Sequence, residues 1–296
     1  MSTEPVHRIG IDLGGTKTEV VLLDEKGNTR LRNRKPTPAD QGYEAILDVV
    51  VELVEQARLE TGQIYSVGIG IPGILDLETD LVLNANTTIM IGHPLRKDLE
   101  SRLGCPVKIE NDANCFALAE ATMGAGRNFD TVFGVIMGTG CGGGIVMNGK
   151  LHSGHHGIAG EWGHFSIDPA GPQCWCGNKG CIETLISGGG LKKKFQAEHG
   201  QERTFPDIVE AARKGTEPEK GFFRQFLDDY GRALGGLISV LDPDAVVLGG
   251  GLSNLPELYA EGRQKVLQYT FHKKAKTPIL QNELGDSAGV FGAAYL

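Results

Sequence analysis

Three cysteines in one short loop are the group in this sequence with the clearest capacity for chemistry. Cys174, Cys176 and Cys181 account for half of the 6 cysteines in a chain of 296 residues. Thiolates spaced this closely are typical of structural zinc sites, which take sulfur and nitrogen ligands in tetrahedral geometry. Gly177 and Gly180 allow the chain to turn back, so that the third thiolate reaches the same ion. The spacing predicts a zinc site, with a disulfide and one spare thiol as the alternative.

A structural zinc ion usually has four protein ligands, so three thiolates leave one position to fill. His164 ends the segment Gly-Glu-Trp-Gly-His upstream of the first cysteine and is the natural fourth ligand. Because protein would then occupy every position, the ion would shape the loop rather than activate a water molecule. Spacing alone leaves three other candidates for the fourth position, namely His155, His156 and Cys141.

Glycine-rich turns are a second group, because clustered backbone N–H groups can converge on an anion such as phosphate. Residues 7–23 predict a strand, a turn and a second strand, and residues 133–147 repeat this pattern. A third glycine turn at 249–251 follows a buried-type strand at 244–248. A single turn of this kind is more often structural. Its repetition in both halves of the chain favours a phosphate site.

The first turn, Gly14-Gly15-Thr16-Lys17, differs from two well-known phosphate loops. It is not a Walker A loop, because Thr16 rather than lysine follows Gly15. It is not a dinucleotide-binding turn either, because a strand rather than a helix follows it.

The remaining pattern predicts the elements that position these groups. Hydrophobic residues recur with helical spacing over 43–59, 111–124 and 222–241, and an apolar strand is predicted at 67–71. Alternating strands and helices predict an α/β fold. Because the second hairpin begins near the middle of the chain, we expect two similar lobes that face each other.

Composition excludes several classes of partner. Hydrophobic residues make up 40% and charged residues 22%, which is ordinary for a globular protein. A net charge of −8 argues against a nucleic-acid surface. The apolar runs are too short to span a bilayer, and the N-terminus lacks the apolar core of a signal peptide. We therefore expect a cytoplasmic protein with reduced thiols and no membrane or nucleic-acid partner.

Six motifs occur together and in order. They are Asp12-Leu-Gly-Gly-Thr-Lys17, Asn111-Asp-Ala-Asn-Cys115, Gly138-Thr-Gly-Cys-Gly142, Gly160-Glu-Trp-Gly-His164, Cys174-x-Cys176-x4-Cys181-Ile-Glu183 and Gly249-Gly-Gly-Leu-Ser253. As a set they closely resemble the ROK family of bacterial sugar kinases within the actin/hexokinase-like ATPase superfamily, and the resemblance covers essentially the whole chain. The family implies duplicated actin/hexokinase-like (ribonuclease H-like) lobes around a central cleft. We expect a small lobe of residues 1–116 and 284–296, and a large lobe of residues 117–283 that carries the zinc loop.

The resemblance also implies a sugar site. Asp112 matches the catalytic base, which accepts the proton of the sugar hydroxyl as the γ-phosphoryl group arrives. Sequence alone would make Asp112 an N-cap of the following helix. His164 would serve both zinc and sugar through its two ring nitrogens. The implied sugar-binding residues are Asn86, Asn111, Asp112, Glu161, His164 and Glu183.

On the nucleotide side, the resemblance implies binding of MgATP. Asp12 would orient the Mg²⁺ ion through water, since Mg²⁺ tends to keep several of its waters. The implied nucleotide-binding residues are Asp12, Gly14, Gly15, Thr16, Lys17, Gly138, Thr139, Gly140, Gly250, Gly251 and Ser253.

The implied reaction is ATP-dependent phosphorylation of a hexose hydroxyl, in a protein that forms a homodimer. The segment Asn84-Ala-Asn-Thr-Thr88 favours the fructokinase/mannokinase branch, so the 6-hydroxyl of fructose is the first choice. N-acetylglucosamine, N-acetylmannosamine and glucose are the alternative substrates. A non-catalytic sugar sensor is a further alternative, although Asp12 and Asp112 argue against loss of chemistry. A ROK repressor would need a helix-turn-helix domain before Ile9, where only eight residues stand.

Overall fold

The structure is a computed structural model that describes residues 7–61, 66–85 and 87–296. The strands are β1 (Arg8–Leu13), β2 (Lys17–Leu23), β3 (Thr29–Pro36), β4 (Val67–Ile71), β5 (Ile74–Leu75), β6 (Val82–Leu83), β7 (Val107–Asn111), β8 (Thr131–Met137), β9 (Cys141–Met147), β10 (Lys150–Leu151), β11 (Ala245–Gly249) and β12 (Ile279–Gln281). The helices are α1 (Tyr43–Thr61), α2 (Leu95–Leu103), α3 (Asp112–Thr122), α4 (Ile182–Ile186), α5 (Gly188–His199), α6 (Phe205–Arg213), α7 (Glu219–Leu241), α8 (Pro256–Tyr259), α9 (Glu261–Tyr269) and α10 (Ala288–Ala293).

Two sheets of the same topology form the frame of the described chain. The first has the strand order β3-β2-β1-β4-β7 and the second the order β10-β9-β8-β11-β12. In each sheet three strands pair antiparallel, and two later strands add in parallel beside the first strand of the hairpin. The predicted hairpins are β1–β2 and β8–β9, so the duplicated α/β fold is confirmed.

Each sheet has its own hydrophobic core because each is covered by an amphipathic helix. On α1, Ile46, Val50 and Leu53 are fully buried against the first sheet. On α7, Phe226 and Tyr230 are buried in the core of the second sheet. The predicted helices at 43–59 and 222–241 are therefore present, each slightly longer than the sequence suggested. In the described ranges, no helix combines the length and apolar character that a membrane span requires.

Helices α3 and α10 pack against each other between the two sheets. The α3 helix lies on the second sheet, where a Cβ atom at Gly134 or Gly144 would come within 2.6 or 2.7 Å of the Ala117 Cβ. The α10 helix lies on the first sheet, where Gly10 and Gly68 provide the space. The predicted lobe boundary after residue 116 falls within α3, and the division into lobes stays a prediction.

Candidate active site

A cleft of about 1580 Å³ collects groups from both halves of the chain. Its walls come from the junction of β7 and α3, the β8–β9 turn, the segment around residue 161 and the cysteine loop. The predicted site residues that line it are Asn111, Asp112, Gly138, Thr139, Gly140, Glu161, His164, Cys174, Cys176 and Glu183. Asn86, predicted to contact the sugar, lies outside the described residues.

Asp112 lies at the first position of α3, directly after β7 ends at Asn111. The N-cap of the helix is Asn111, whose side-chain oxygen accepts from the Ala113 N–H at 2.9 Å. The Asn111 amide donates to the Gly73 carbonyl at 3.1 Å, which fixes the junction against the neighbouring loop. Asp112 is therefore not the N-cap. Its carboxylate lines the cleft, in a position that the strand and the helix hold rigidly.

Three carboxylates in and beside this cleft have raised pKa values, and burial is the largest cause for each. Burial, followed by the negative charge of Asp12, raises the pKa of Asp112 to about 7, and Glu161 adds a smaller effect. Burial, followed by the charge of Glu19, raises the pKa of Asp12 to about 6. Burial and the charge of Glu183 raise the pKa of Glu161, although His164 opposes them. A carboxylate with a pKa near neutrality suits general-base catalysis.

Glu183 is held by a donor at each carboxylate oxygen. The Cys141 backbone N–H donates to Oε2 at 3.1 Å, and the indole Nε1 of Trp175 donates to Oε1 at 2.8 Å. The sequence did not indicate the bond from Trp175, because a side-chain contact across a loop leaves no mark in the residue spacing. Only the position of Trp175 between two predicted metal ligands pointed to this region.

The cysteine loop brings four ligand atoms together. One ligand atom from each of His164, Cys174, Cys176 and Cys181 lies within 4.8 Å of the other three. His164 Nδ1 is 3.6 Å from the Cys174 sulfur, and the Cys176 and Cys181 sulfurs are also 3.6 Å apart. Ligands of one tetrahedral zinc ion are separated by about 3.3–3.8 Å, given metal bonds of about 2.0–2.3 Å. The residues therefore fit a metal ion.

The geometry decides between the alternatives at this loop. The 3.6 Å separation of the Cys176 and Cys181 sulfurs is far longer than a disulfide bond, and both cysteines are free thiols. The metal-ligand group formed by the described residues includes His164, whereas His155 and His156 pack edge to face against each other. Because Nδ1 of His164 faces the sulfurs, its Nε2 remains for another partner.

The predicted nucleotide residues are divided between the cleft and its surroundings. Gly138, Thr139 and Gly140 line the cleft, whereas the following do not: Asp12, Gly14, Gly15, Thr16, Lys17, Gly250, Gly251 and Ser253. Asp12 is nevertheless close enough to raise the pKa of Asp112. The turn after Asp12 is closed by a hydrogen bond from the Gly14 N–H to the Lys17 carbonyl at 3.0 Å.

The third glycine turn packs against the end of β8. Gly250 has φ of 78°, and a Cβ atom there would lie 2.5 Å from the Met137 carbonyl oxygen, so only glycine fits. Ser253 is buried, and its hydroxyl donates to the Gly250 carbonyl at 2.7 Å. Ser253 thus shapes the turn. Whether these residues border a nucleotide stays a prediction.

Two sheets of equal topology beside an acidic cleft are typical of the hexokinase-like α/β fold of sugar kinases. The chain belongs to the ROK family, whose family model matches residues 8–296.

Similar proteins of named activity and similar solved structures include sugar kinases. An N-acetyl-D-glucosamine kinase from Haemophilus influenzae (strain 86-028NP) is 39% identical over 97% of this chain and 98% of its own length. The structure of a ROK hexokinase from Thermus thermophilus superposes with a TM-score of 0.89 at 32% identity, covering 98% of this chain and 97% of that one. A ROK family glucokinase from Streptomyces griseus, in complex with glucose and AMPPNP, gives 0.77 at 33% identity, covering 98% of each chain.

These findings establish a kinase that transfers phosphate from ATP to a sugar. They do not support the choice of fructose, because the similar relatives carry the name of N-acetyl-D-glucosamine kinase. The segment 84–88, which favoured fructose, was too short a signal to separate the branches of the family.

Proposed function

We propose that this chain phosphorylates the 6-hydroxyl of N-acetyl-D-glucosamine with MgATP, giving the sugar 6-phosphate and ADP. The observation that carries the proposal is the 38–39% identity to N-acetyl-D-glucosamine kinases over 97% of this chain. The cleft supports the proposed chemistry, because Asp112, whose pKa is raised to about 7, lines it together with other polar side chains that are able to bind hydroxyls.

Asp112 is the proposed catalytic base. Its carboxylate accepts the proton of the attacking hydroxyl while the γ-phosphoryl group arrives in line from the opposite side. With a pKa of about 7, the group is half ionised near neutral pH and remains basic enough to take the proton. The first turn of α3 fixes its position, so the hydroxyl meets the base in one orientation.

The polar groups around Asp112 are proposed to bind the other hydroxyls of the sugar. Glu161, Glu183, Asn111 and the Nε2 atom of His164 offer acceptors and donors in the same cleft, and Asn86 remains a proposed contact.

The metal ion of the cysteine loop is proposed to be zinc in a structural role. Its four protein ligands leave no open position, so it supplies rigidity and no bound water. By joining His164 to the cysteines, it would fasten the segment 161–183 and keep Glu161, His164 and Glu183 directed at the sugar.

The nucleotide is proposed to lie across the glycine turns. Backbone N–H groups of residues 15–16 and 139–140 would cradle its phosphates, with Lys17 neutralising charge. The N–H groups of Gly14 and Gly138 close the two turns by donating to the carbonyls of Lys17 and Gly140. Asp12 would hold the waters of Mg²⁺, which neutralises the developing negative charge on the phosphates. Gly250 and Gly251 would border the adenosine. A homodimer in the cytoplasm remains part of the proposal.

A substrate panel tests the proposed sugar. ADP release should be measured with N-acetylglucosamine, N-acetylmannosamine, glucose, mannose and fructose under the same conditions. Contacts to one differing group contribute a few kcal/mol, so kcat/KM for N-acetylglucosamine should exceed that for each other sugar at least about 10-fold. NMR of the product should show phosphorus coupled to the protons at carbon 6. A higher kcat/KM with another sugar, or phosphate at another carbon, would refute the assignment.

A further inference from the structure

Trp175 joins the metal-binding loop to the sugar-binding part of the cleft. It stands between the ligands Cys174 and Cys176, lines the cleft, and is 67% exposed. Its ring edge packs against His164, with ring centroids 4.7 Å apart, and its indole N–H donates to Glu183. One side chain thus contacts a metal ligand and a proposed sugar ligand at the same time.

We propose that Trp175 is a positioning residue that fixes the orientation of Glu183 for the sugar and makes that orientation depend on the bound metal ion. The proposal rests on the proposed function only in taking Glu183 as a sugar-binding group.

The two donors on Glu183 explain how the positioning works. A glutamate side chain has three rotatable bonds and loses entropy when it is held for binding. The Cys141 N–H holds Oε2 alone, so the carboxylate could still rotate about that contact. The Trp175 N–H holds Oε1 and removes this freedom before the sugar arrives. Each oxygen keeps a lone pair for a sugar hydroxyl.

The position of the indole depends on the metal ion because few other contacts hold it. Most of its surface is exposed, and the residues before and after it are metal ligands. Loss of the ion therefore releases the loop and, with it, the indole N–H. Glu183 then regains its mobility, although it lies on α4 and is not itself a ligand.

A double-mutant cycle on sugar binding tests the proposal. Sugar dissociation constants would be measured by calorimetry without ATP for wild type, Trp175→Phe, Glu183→Ala and the double variant. Phe keeps an aromatic ring but lacks the indole N–H, so it should weaken sugar binding about 5–20-fold, as expected for loss of one hydrogen bond worth about 1–2 kcal/mol. The double variant should bind about as weakly as Glu183→Ala alone, because Trp175 acts through Glu183.

Kinetics and metal content separate positioning from a structural role. Trp175→Phe should raise KM for the sugar, leave KM for ATP and kcat within about 2-fold, and retain one metal ion per chain. Lys179→Ala, which changes another exposed side chain of the same loop, should behave as wild type. Loss of metal from Trp175→Phe, or additive effects in the cycle, would overturn the proposal.

Fluorescence provides a readout that does not depend on turnover. The chain has 2 tryptophans, and Trp162 is only 8% exposed. Sugar should change the emission of Trp175, and this change should disappear in Trp175→Phe and after removal of the metal with a chelator. Emission that is unchanged by saturating sugar would count against the proposal. If wild type prefers another hexose, the cycle is run with that sugar, and only the proposed function fails.

Discussion

Replacement of Asp112 by asparagine should remove activity and stabilise the protein at the same time. Asn is nearly isosteric and can still accept from the Ala113 N–H, which donates to Asp112 Oδ1 at 2.8 Å. The variant cannot accept a proton, so kcat should fall about 10²–10⁴-fold. Its gain in stability follows from removing a carboxylate whose ionisation is unfavourable in the folded state.

The size of that gain follows from the pKa of Asp112. The shift from 3.8 to about 7 is about 3 units, and at about 1.4 kcal/mol per unit this gives an upper bound near 4 kcal/mol. Water in the cleft and the shared charge of Asp12 reduce the value, so we expect about 2 kcal/mol at pH 8.

The pH dependence has a definite sign. A raised folded-state pKa means that the contribution of Asp112 to stability is fully present below pH 3.8 and is lost as the pH rises through about 7. The gain in free energy of unfolding of Asp112→Asn over wild type should therefore be under about 1 kcal/mol at pH 5 and grow toward pH 8. Urea denaturation at both pH values measures it, and Asp40→Asn, an exposed carboxylate outside the cleft, is the control. Equal stability of Asp112→Asn and wild type at pH 8 would refute the electrostatic argument.

The other predictions concern pH, metal and packing. The kcat/KM of wild type should fall as the pH drops below about 7. Glu161→Gln should shift this fall to lower pH, because it removes a charge that raises the pKa of Asp112. An unchanged pH profile would contradict this. Metal analysis should find about one zinc ion per chain. Cys176→Ser should lose the ion and raise KM for the sugar more than KM for ATP. A metal-free protein with full activity would contradict the proposed zinc site. Gly68→Ala should destabilise the protein by about 1–3 kcal/mol, because its Cβ would clash with the Ala293 backbone. Gly236→Ala, at an exposed position within α7, should stabilise it by about 0.5–1 kcal/mol. Equal melting temperatures of the two variants would contradict the packing of α10.

Local patterns in the sequence predicted the frame of the fold. The hairpins at 7–23 and 133–147 combine apolar strands with glycine turns, so both were predictable from residues that are near neighbours in the chain. The packing of α10 on the first sheet and on α3 was not, because it depends on Gly10, Gly68 and Gly292 meeting residues far away in sequence.

Some parts of the candidate site could be predicted from the sequence, and others could not. Cysteine spacing predicted three metal ligands, and the structure places His164 beside them in a group that could hold an ion. The sugar could not be predicted, because candidate hexoses differ by one group, and recognition of that group depends on the shape of the assembled cleft. The contact between Trp175 and Glu183 depends on how the folded loop places both side chains, which residue types alone do not specify.

Sugar-dependent release of ADP, compared between wild type and Asp112→Asn, tests the central claim most directly. With N-acetylglucosamine and MgATP at pH 7.5, wild type should release ADP only when sugar is present, and Asp112→Asn should do so about 10²–10⁴-fold more slowly while binding ATP normally in calorimetry. ADP release by wild type that does not depend on sugar, or near-normal turnover in Asp112→Asn, would contradict the account.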